Sequence, residues 1–149
     1  MNNKMQVVGT LFFKNGKLLI DKPRKRPTFQ MIGGKVEENE TIKEAAIREC
    51  KEELGKDAIF NPENIEFLMG FDEIATSDPN LQLHMNIFRY NGELEGEFTI
   101  SEEIESFMWF GINDDRSILS NALKNEIVPY CIENNLIYNK KIKPEDYES

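Results

Sequence analysis

Between Leu81 and Tyr90 apolar and polar residues alternate, with Leu83, Met85 and Ile87 facing one way and Gln82, His84 and Asn86 the other. A period of two predicts a strand. Other β-prone runs fall at Val7 to Phe13, Leu18 to Asp21, Ile65 to Ile74, which Gly70 is expected to interrupt, and Ser106 to Phe110, which carries the single tryptophan. The first two flank Lys14-Asn15-Gly16-Lys17, and Asn-Gly between apolar runs is a hairpin signal. The period changes at residue 42. Thr41-Ile42-Lys43-Glu44 reads as a capping box and Gly55 as the stop, and Ala46, Ile47, Cys50 and Leu54 fall on one arc that can bury against a sheet. A last helix is predicted from about Ser117, with Leu119, Leu123 and Ile127 as its buried stripe and Pro129 as a break or kink.

Length adds that one domain suffices: 149 residues can bury a real core, and no linker divides them. Residues 1–140 are expected to form it, with 141–149 a polar, disordered tail. No apolar run approaches the roughly 18 to 20 residues of a spanning helix, and the N-terminus lacks a signal peptide, so a cytoplasmic protein without a membrane partner is expected. A formal charge of −9 argues against a nucleic-acid polymer as partner. Cys50 and Cys131 lie on apolar helical arcs and read as buried thiols. His84 reads as a hydrogen-bonded structural residue.

The chemistry concentrates on the predicted helix. Glu49, Glu52 and Glu53, at i, i+3 and i+4, crowd one arc and repel, near the helix end where the macrodipole disfavours anions. Ala45 lies in that arc and leaves room. Oxygen donors alone, held together at such cost, point to a hard cation, Mg²⁺ or Mn²⁺. Gly33-Gly34 leads almost directly into the helix, and a tight turn is expected there, bringing backbone close to a ligand.

Taken together, Gly34, five residues, Glu40, seven residues and Arg48-Glu49-Cys50-Lys51-Glu52-Glu53-Leu54-Gly55-Lys56 resemble the signature of the MutT/Nudix hydrolases, G-x5-E-x7-R-E-U-x-E-E-x-G-U with U aliphatic. Every charged and glycine position is met; Lys56 departs from the final U. Asn39 stands where many members have Gly, and Asn is the residue that best tolerates a left-handed backbone after Gly.

The resemblance implies an α/β (α+β) fold in which a mixed β-sheet is sandwiched between helices, and an enzyme that hydrolyses a nucleoside diphosphate linked to a further group. It implies the Gly33 carbonyl, Glu52 and Glu53 as metal ligands and Glu49 as a ligand or general base. Arg48 is expected to pair with Glu40 and orient the acidic face, since a guanidinium grips a carboxylate in a fork. Lys35 is expected at a phosphate. In several relatives a loop glutamate joins the site, and Glu103 in Glu102-Glu103-Ile104-Glu105 is the choice here, against an ordinary exposed acid. For Lys22, Arg24, Lys25 and Arg26 two readings stand open: a solvated loop at a strand end, or contact with substrate phosphates by Arg24 and Arg26. The small-molecule partner is a nucleotide, with (d)NTPs, oxidised purine nucleotides included, favoured over ADP-ribose or a dinucleotide. A domain of the same fold that senses a nucleotide without hydrolysing it is the alternative from another class.

Overall fold

The computed structural model of the protein describes residues 4–139. Its centre is a four-stranded mixed sheet of β4 (Ile32–Lys35), β1 (Met5–Leu11), β7 (Asp78–Tyr90) and β6 (Ile65–Ala75), in that order. β1 runs parallel to β7; the other two pairings are antiparallel. A three-stranded sheet joins β2 (Phe13–Lys14), β3 (Lys17–Pro23) and β9 (Ile104–Phe110), and β5 (Ala58–Ile59) pairs with β8 (Glu95–Gly96). Helix α1 (Ile42–Leu54) lies against β4 and β1. Helix α2 (Val128–Glu133) closes the opposite face, so the chain has the α+β sandwich that the resemblance implies.

Each sheet face carries its own core, which explains where the alternation in β7 gives way. Met85 and Ile87 pack with Leu123, Ile127 and Val128 on the α2 side, while Phe88 and Tyr90 pack with Ala46, Cys50 and Leu54 on the α1 side. A strand covered on both faces has apolar residues on both. Asn86 is buried between them and satisfied, its amide donating to the Val7 carbonyl and the Gln6 side chain at 3.1 Å each.

Three sequence expectations need correction. The run from Val7 to Phe13 is two strands, because the chain changes sheets at the buried Phe12: β1 enters the mixed sheet, and β2 forms the expected hairpin with β3 through left-handed Asn15 and Gly16. Gly70 does not interrupt β6; it sits in register opposite Asn86, and the irregularity falls between Phe67 and Met69. The final helix does not start at Ser117. Arg116–Ile118 is a 3₁₀ turn, Leu119 bridges to Phe29, and the helical run passes through a π-turn at Leu123–Ile127 into α2. Pro129 has no amide to donate back to Asn125, and the wider turn just before it absorbs that loss, so the proline kinks rather than ends the helix. Leu119, Leu123 and Ile127 are nevertheless all buried. The tail 141–149 lies outside the described residues.

Candidate active site

Local signals set the orientation of α1. The Thr41 hydroxyl accepts the Glu44 amide at 3.1 Å and the Glu44 carboxylate accepts the Thr41 amide at 2.9 Å, so the capping box is complete. Asn39 takes φ 62°, the left-handed conformation expected of it. Gly55 ends the helix at φ 86°, where a Cβ would also meet Thr99 at 2.7 Å.

The glycine pair is not in a turn. Gly33 and Gly34 are extended residues of β4, opposite Gly9 and Val8. Glycine is needed there for space. A Cβ on Gly33 would sit 1.9 Å from the Val8 carbonyl oxygen, and one on Gly34 would sit 2.5 Å from the Glu49 carboxylate. The strand therefore lies hard against the acidic arc of α1. Ala45 in that arc is fully buried, which brings the carboxylates inward, whereas Ile47, expected in the core, is only half-buried.

Arg48 gathers one corner of the site. Its Nε and Nη2 grip Glu40 at 2.7 and 2.9 Å, its Nη1 donates to Glu49 Oε1 at 2.8 Å and to Glu52 at 3.4 Å, and its Nη2 also reaches the Lys35 carbonyl at 3.0 Å. The fork and the Glu37 amide hold the Glu40 carboxyl down at about 2, and the Arg48 guanidinium is correspondingly harder to deprotonate.

The opposite corner has no cation of its own. Glu53 Oε2 accepts the Gly33 amide at 2.6 Å. In an antiparallel ladder both main-chain groups of a residue point the same way, so the Gly33 carbonyl leaves the same edge of β4. Beside Glu53 stands Asp21 of β3, 1% exposed; among the described residues neither of its oxygens has an N–H or hydroxyl donor, and its carboxyl meets that of Glu53 within hydrogen-bond reach. Burial pushes the Asp21 carboxyl up to about 7, against a lowering by its hydrogen bond with the Glu53 carboxyl and with the charge of Glu49 adding to the rise. Glu53 is pushed well above the usual carboxylate range by burial, then by the charges of Asp21 and Glu49. Glu49 is raised by burial, which Arg48 partly offsets. Glu52 is the exposed member.

Among the described residues no three His, Cys, Asp or Glu side chains converge as a finished metal cage. The helix carboxylates are instead engaged by Arg48 and the Gly33 amide. Their chemistry fits a hard cation all the same: the donors are all oxygen, Asp21 is buried with Glu53 part-buried beside it, and among the described residues no Lys, Arg or His pairs with either.

On the other side of β4 lies a cavity of about 250 Å³ that touches Gly33, Gly34 and Lys35. Met5, Met31, Leu83 and Met85 make it largely apolar, with Gln30 and Ser120 as polar lining. Arg26 lines it too and donates to the Ser77 hydroxyl, tying the loop after β3 to the turn between β6 and β7. The remaining basic residues are elsewhere. Lys22 pairs with Glu105 at 3.0 Å, and Lys25 is exposed. Arg24 is exposed and donates its amide to the Glu103 carbonyl at 2.9 Å. Among the described residues no hydrogen bond or ion pair joins Arg24 or Glu103 to the α1 carboxylates.

His84 bonds Asp72 at 2.8 Å, as a structural residue would, and burial pushes the Cys50 and Cys131 thiols up to about 12. No helix among the described residues is long and apolar enough to cross a membrane. Sequence reasoning missed Asp21. Its signal was there: in Leu18-Leu19-Ile20-Asp21, a period of two puts Asp21 on the same face as Leu19, in the α1-side core.

The NUDIX domain family matches residues 3–129, and the chain belongs to that family as a Nudix hydrolase. Among solved structures it is similar to a MutT NUDIX hydrolase from Burkholderia pseudomallei at 21% identity and TM-score 0.67, covering 89% of this chain and 98% of that one. It is also similar to the E. coli dihydroneopterin triphosphate pyrophosphohydrolase at 17% identity and TM-score 0.68, covering 89% and 99%. A third likeness is to a bifunctional NMN adenylyltransferase/ADP ribose pyrophosphatase from Francisella tularensis, complexed with AMP and a Mn ion. That match has 16% identity and TM-score 0.64 over 91% of this chain and 43% of that one. No curated protein sequence matches.

Proposed function

We propose that the protein hydrolyses a nucleoside triphosphate or a close relative, an oxidised purine nucleotide included, to the monophosphate and pyrophosphate with Mg²⁺. The observation that carries this reading is the partition made by β4, with a small apolar cavity on one side and the carboxylate centre on the other. At about 250 Å³ the cavity falls below the roughly 300 to 1,000 Å³ of sites that enclose a whole ligand, and it suits a base whose phosphates run outward past Gly33 and Gly34. Lys35 and Arg26 line the same cavity, which supports their meeting those phosphates. The likeness to a pyrophosphohydrolase of another triphosphate points the same way.

Glu52, Glu53 and the Gly33 carbonyl would hold the cation, with Glu49 beside them. A divalent ion bound there neutralises phosphate charge and lowers the pKa of a water nucleophile. Glu49, its carboxyl raised by burial and partly lowered by the hydrogen bond from Arg48, accepts the proton of the attacking water. Glu103, in the loop just before β9, is the second candidate for that proton. Arg48 and Glu40 lock each other and fix the angle at which Glu49 is presented.

Incubating the protein with (d)NTPs, oxidised purine triphosphates, ADP-ribose and dinucleotides, with and without Mg²⁺, and identifying products by mass tests this directly. Pyrophosphate and monophosphate from a triphosphate are expected. Turnover of ADP-ribose or a dinucleotide alone would replace the substrate, and binding without turnover of any of them would make the domain a sensor.

A further inference from the structure

Asp21 occupies a position in the core that an apolar residue would ordinarily take, on the same face of β3 as Leu19. Its main chain is fully used: its amide donates to the Gln30 carbonyl at 2.9 Å, and its carbonyl accepts the Gln30 amide at 2.7 Å. Its side chain does nothing for the fold. Among the described residues it caps no helix, closes no turn and pairs with no Lys or Arg; both carboxyl oxygens are buried without an N–H or hydroxyl donor, and the one side chain it meets within hydrogen-bond reach is the carboxyl of Glu53. A buried carboxylate in that state is costly and persists only where something else uses it. What it faces is Glu53, with Glu49 next beyond.

We propose that Asp21 is a fourth carboxylate of the cation centre, a positioning residue that stands beside Glu53 and raises the site's affinity for a divalent ion. The inference rests on the centre proposed above. Asp21 backs Glu53 from β3 while the Gly33 amide holds it from β4, so the carboxyl that must meet the ion is constrained by two strands rather than by the helix alone. Its charge also adds to those of Glu49, Glu52 and Glu53, and the affinity of an all-oxygen site follows the number of charged groups around it. The unsatisfied oxygens of Asp21 are the cost of that arrangement in the metal-free protein.

The test is titration of Mn²⁺ into the metal-stripped full chain by calorimetry, with thermal midpoints recorded before and after metal addition. Asp21→Asn keeps shape, removes charge and supplies a donor for Glu53. Its Mn²⁺ affinity should fall about 10- to 100-fold, the range found when a partner of a metal ligand is removed, while its metal-free midpoint stays level or rises. An affinity indistinguishable from the parent protein overturns the proposal. So does a lower metal-free midpoint with unchanged affinity, which is the signature of a purely structural residue. If Asp21→Asn does not fold, Asp21→Ser is read the same way, and failure of both to fold also counts against the role. Glu53→Gln in the same titration separates the two levels. If it binds Mn²⁺ as the parent does, the centre itself is misassigned; if it loses the ion while Asp21→Asn does not, only the role of Asp21 falls.

Discussion

Arg48–Glu40 and Asp21–Glu53 lie at opposite ends of one row of carboxylates and are built on opposite principles. The first is a closed account of charge: two parallel hydrogen bonds, an added backbone donor and a carboxyl held at about 2. The second sets the part-buried Glu53 against the buried Asp21, with one backbone amide donated to Glu53, and both are pushed upward. A satisfied pair fixes geometry whether or not a ligand is present. In the proposed centre, a pair of acids without a counter-charge is the part that would attract a cation. The same helix therefore carries a rigid reference point and a reactive corner, one turn apart.

The largest expected effect breaks the reactive corner. Glu53→Gln should lower kcat by about two orders of magnitude or more, the scale of losing a main electrostatic stabiliser, and chelator should abolish turnover of the parent protein. Full activity in chelator would remove the metal mechanism. Circular dichroism should show the fold retained, because removing one of the repelling charges relieves the row. The second prediction breaks the rigid corner. Arg48→Lys keeps the charge and loses the fork, so Glu40 and Glu49 are no longer fixed together, and kcat/KM should fall about 10- to 100-fold without loss of folding. Parent-like kinetics would show that orientation by Arg48 is dispensable.

The contrast between these corners was only half legible in the chain. The Thr41 cap and the Gly55 stop follow from local rules, and the left-handed Asn39 and the Arg48–Glu40 pair, expected from the resemblance, are found as well. Gly33 and Gly34 were misjudged, since a glycine pair before a helix reads as a turn. Only the tertiary approach of Val8 and Glu49 shows why a strand must lack two side chains. Asp21 was passed over because a charge at the end of an apolar run reads as a strand end, whereas β3 continues to Pro23 and carries it into the core. The sheet order, with β1 beside β7, leaves no trace in any local pattern. Neither does the cavity, which is assembled from four separated stretches.

A pH scan of the metal-free protein sharpens the comparison, because the two corners titrate with opposite sign. Glu40, lowered from 4.5 to about 2, contributes stability above its ordinary value, and that stability is lost as pH falls toward 2. Asp21, raised from 3.8 to about 7, contributes stability below its ordinary value, and that stability is lost as pH rises through 7. The thermal midpoint in chelator should therefore decline on both sides of mildly acidic pH. Asp21→Asn should flatten the upper limb and Glu40→Gln the lower; a limb that does not respond would mean the named group does not set it.

The smallest effect is expected at the cavity mouth. Neutralising Arg24, Lys25 and Arg26 together should raise KM for triphosphates more than for diphosphates, with a penalty that shrinks in salt because exposed charges are screened over about 8 to 10 Å. Arg26→Ala alone should reproduce most of it, since Arg26 lines the cavity and Arg24 does not. Ratios that do not move with substrate charge would return the stretch to a solvated loop.

Both corners depend on a pairing that forms late. β4 is held in the sheet by β1, and β1 must find Leu83–Arg89, far down the chain, to lie parallel to β7. Non-local parallel pairing is slow because loop-closure entropy must be met before the contacts reward it. On a ribosome, α1 can cap itself soon after residue 55 emerges, yet the strand that presses Gly33 against Glu53 stays unanchored until β7 has been synthesised. The acidic helix thus gains its packing partner only when the sheet is complete, and in the proposed centre the affinity for a cation would arise in that same event.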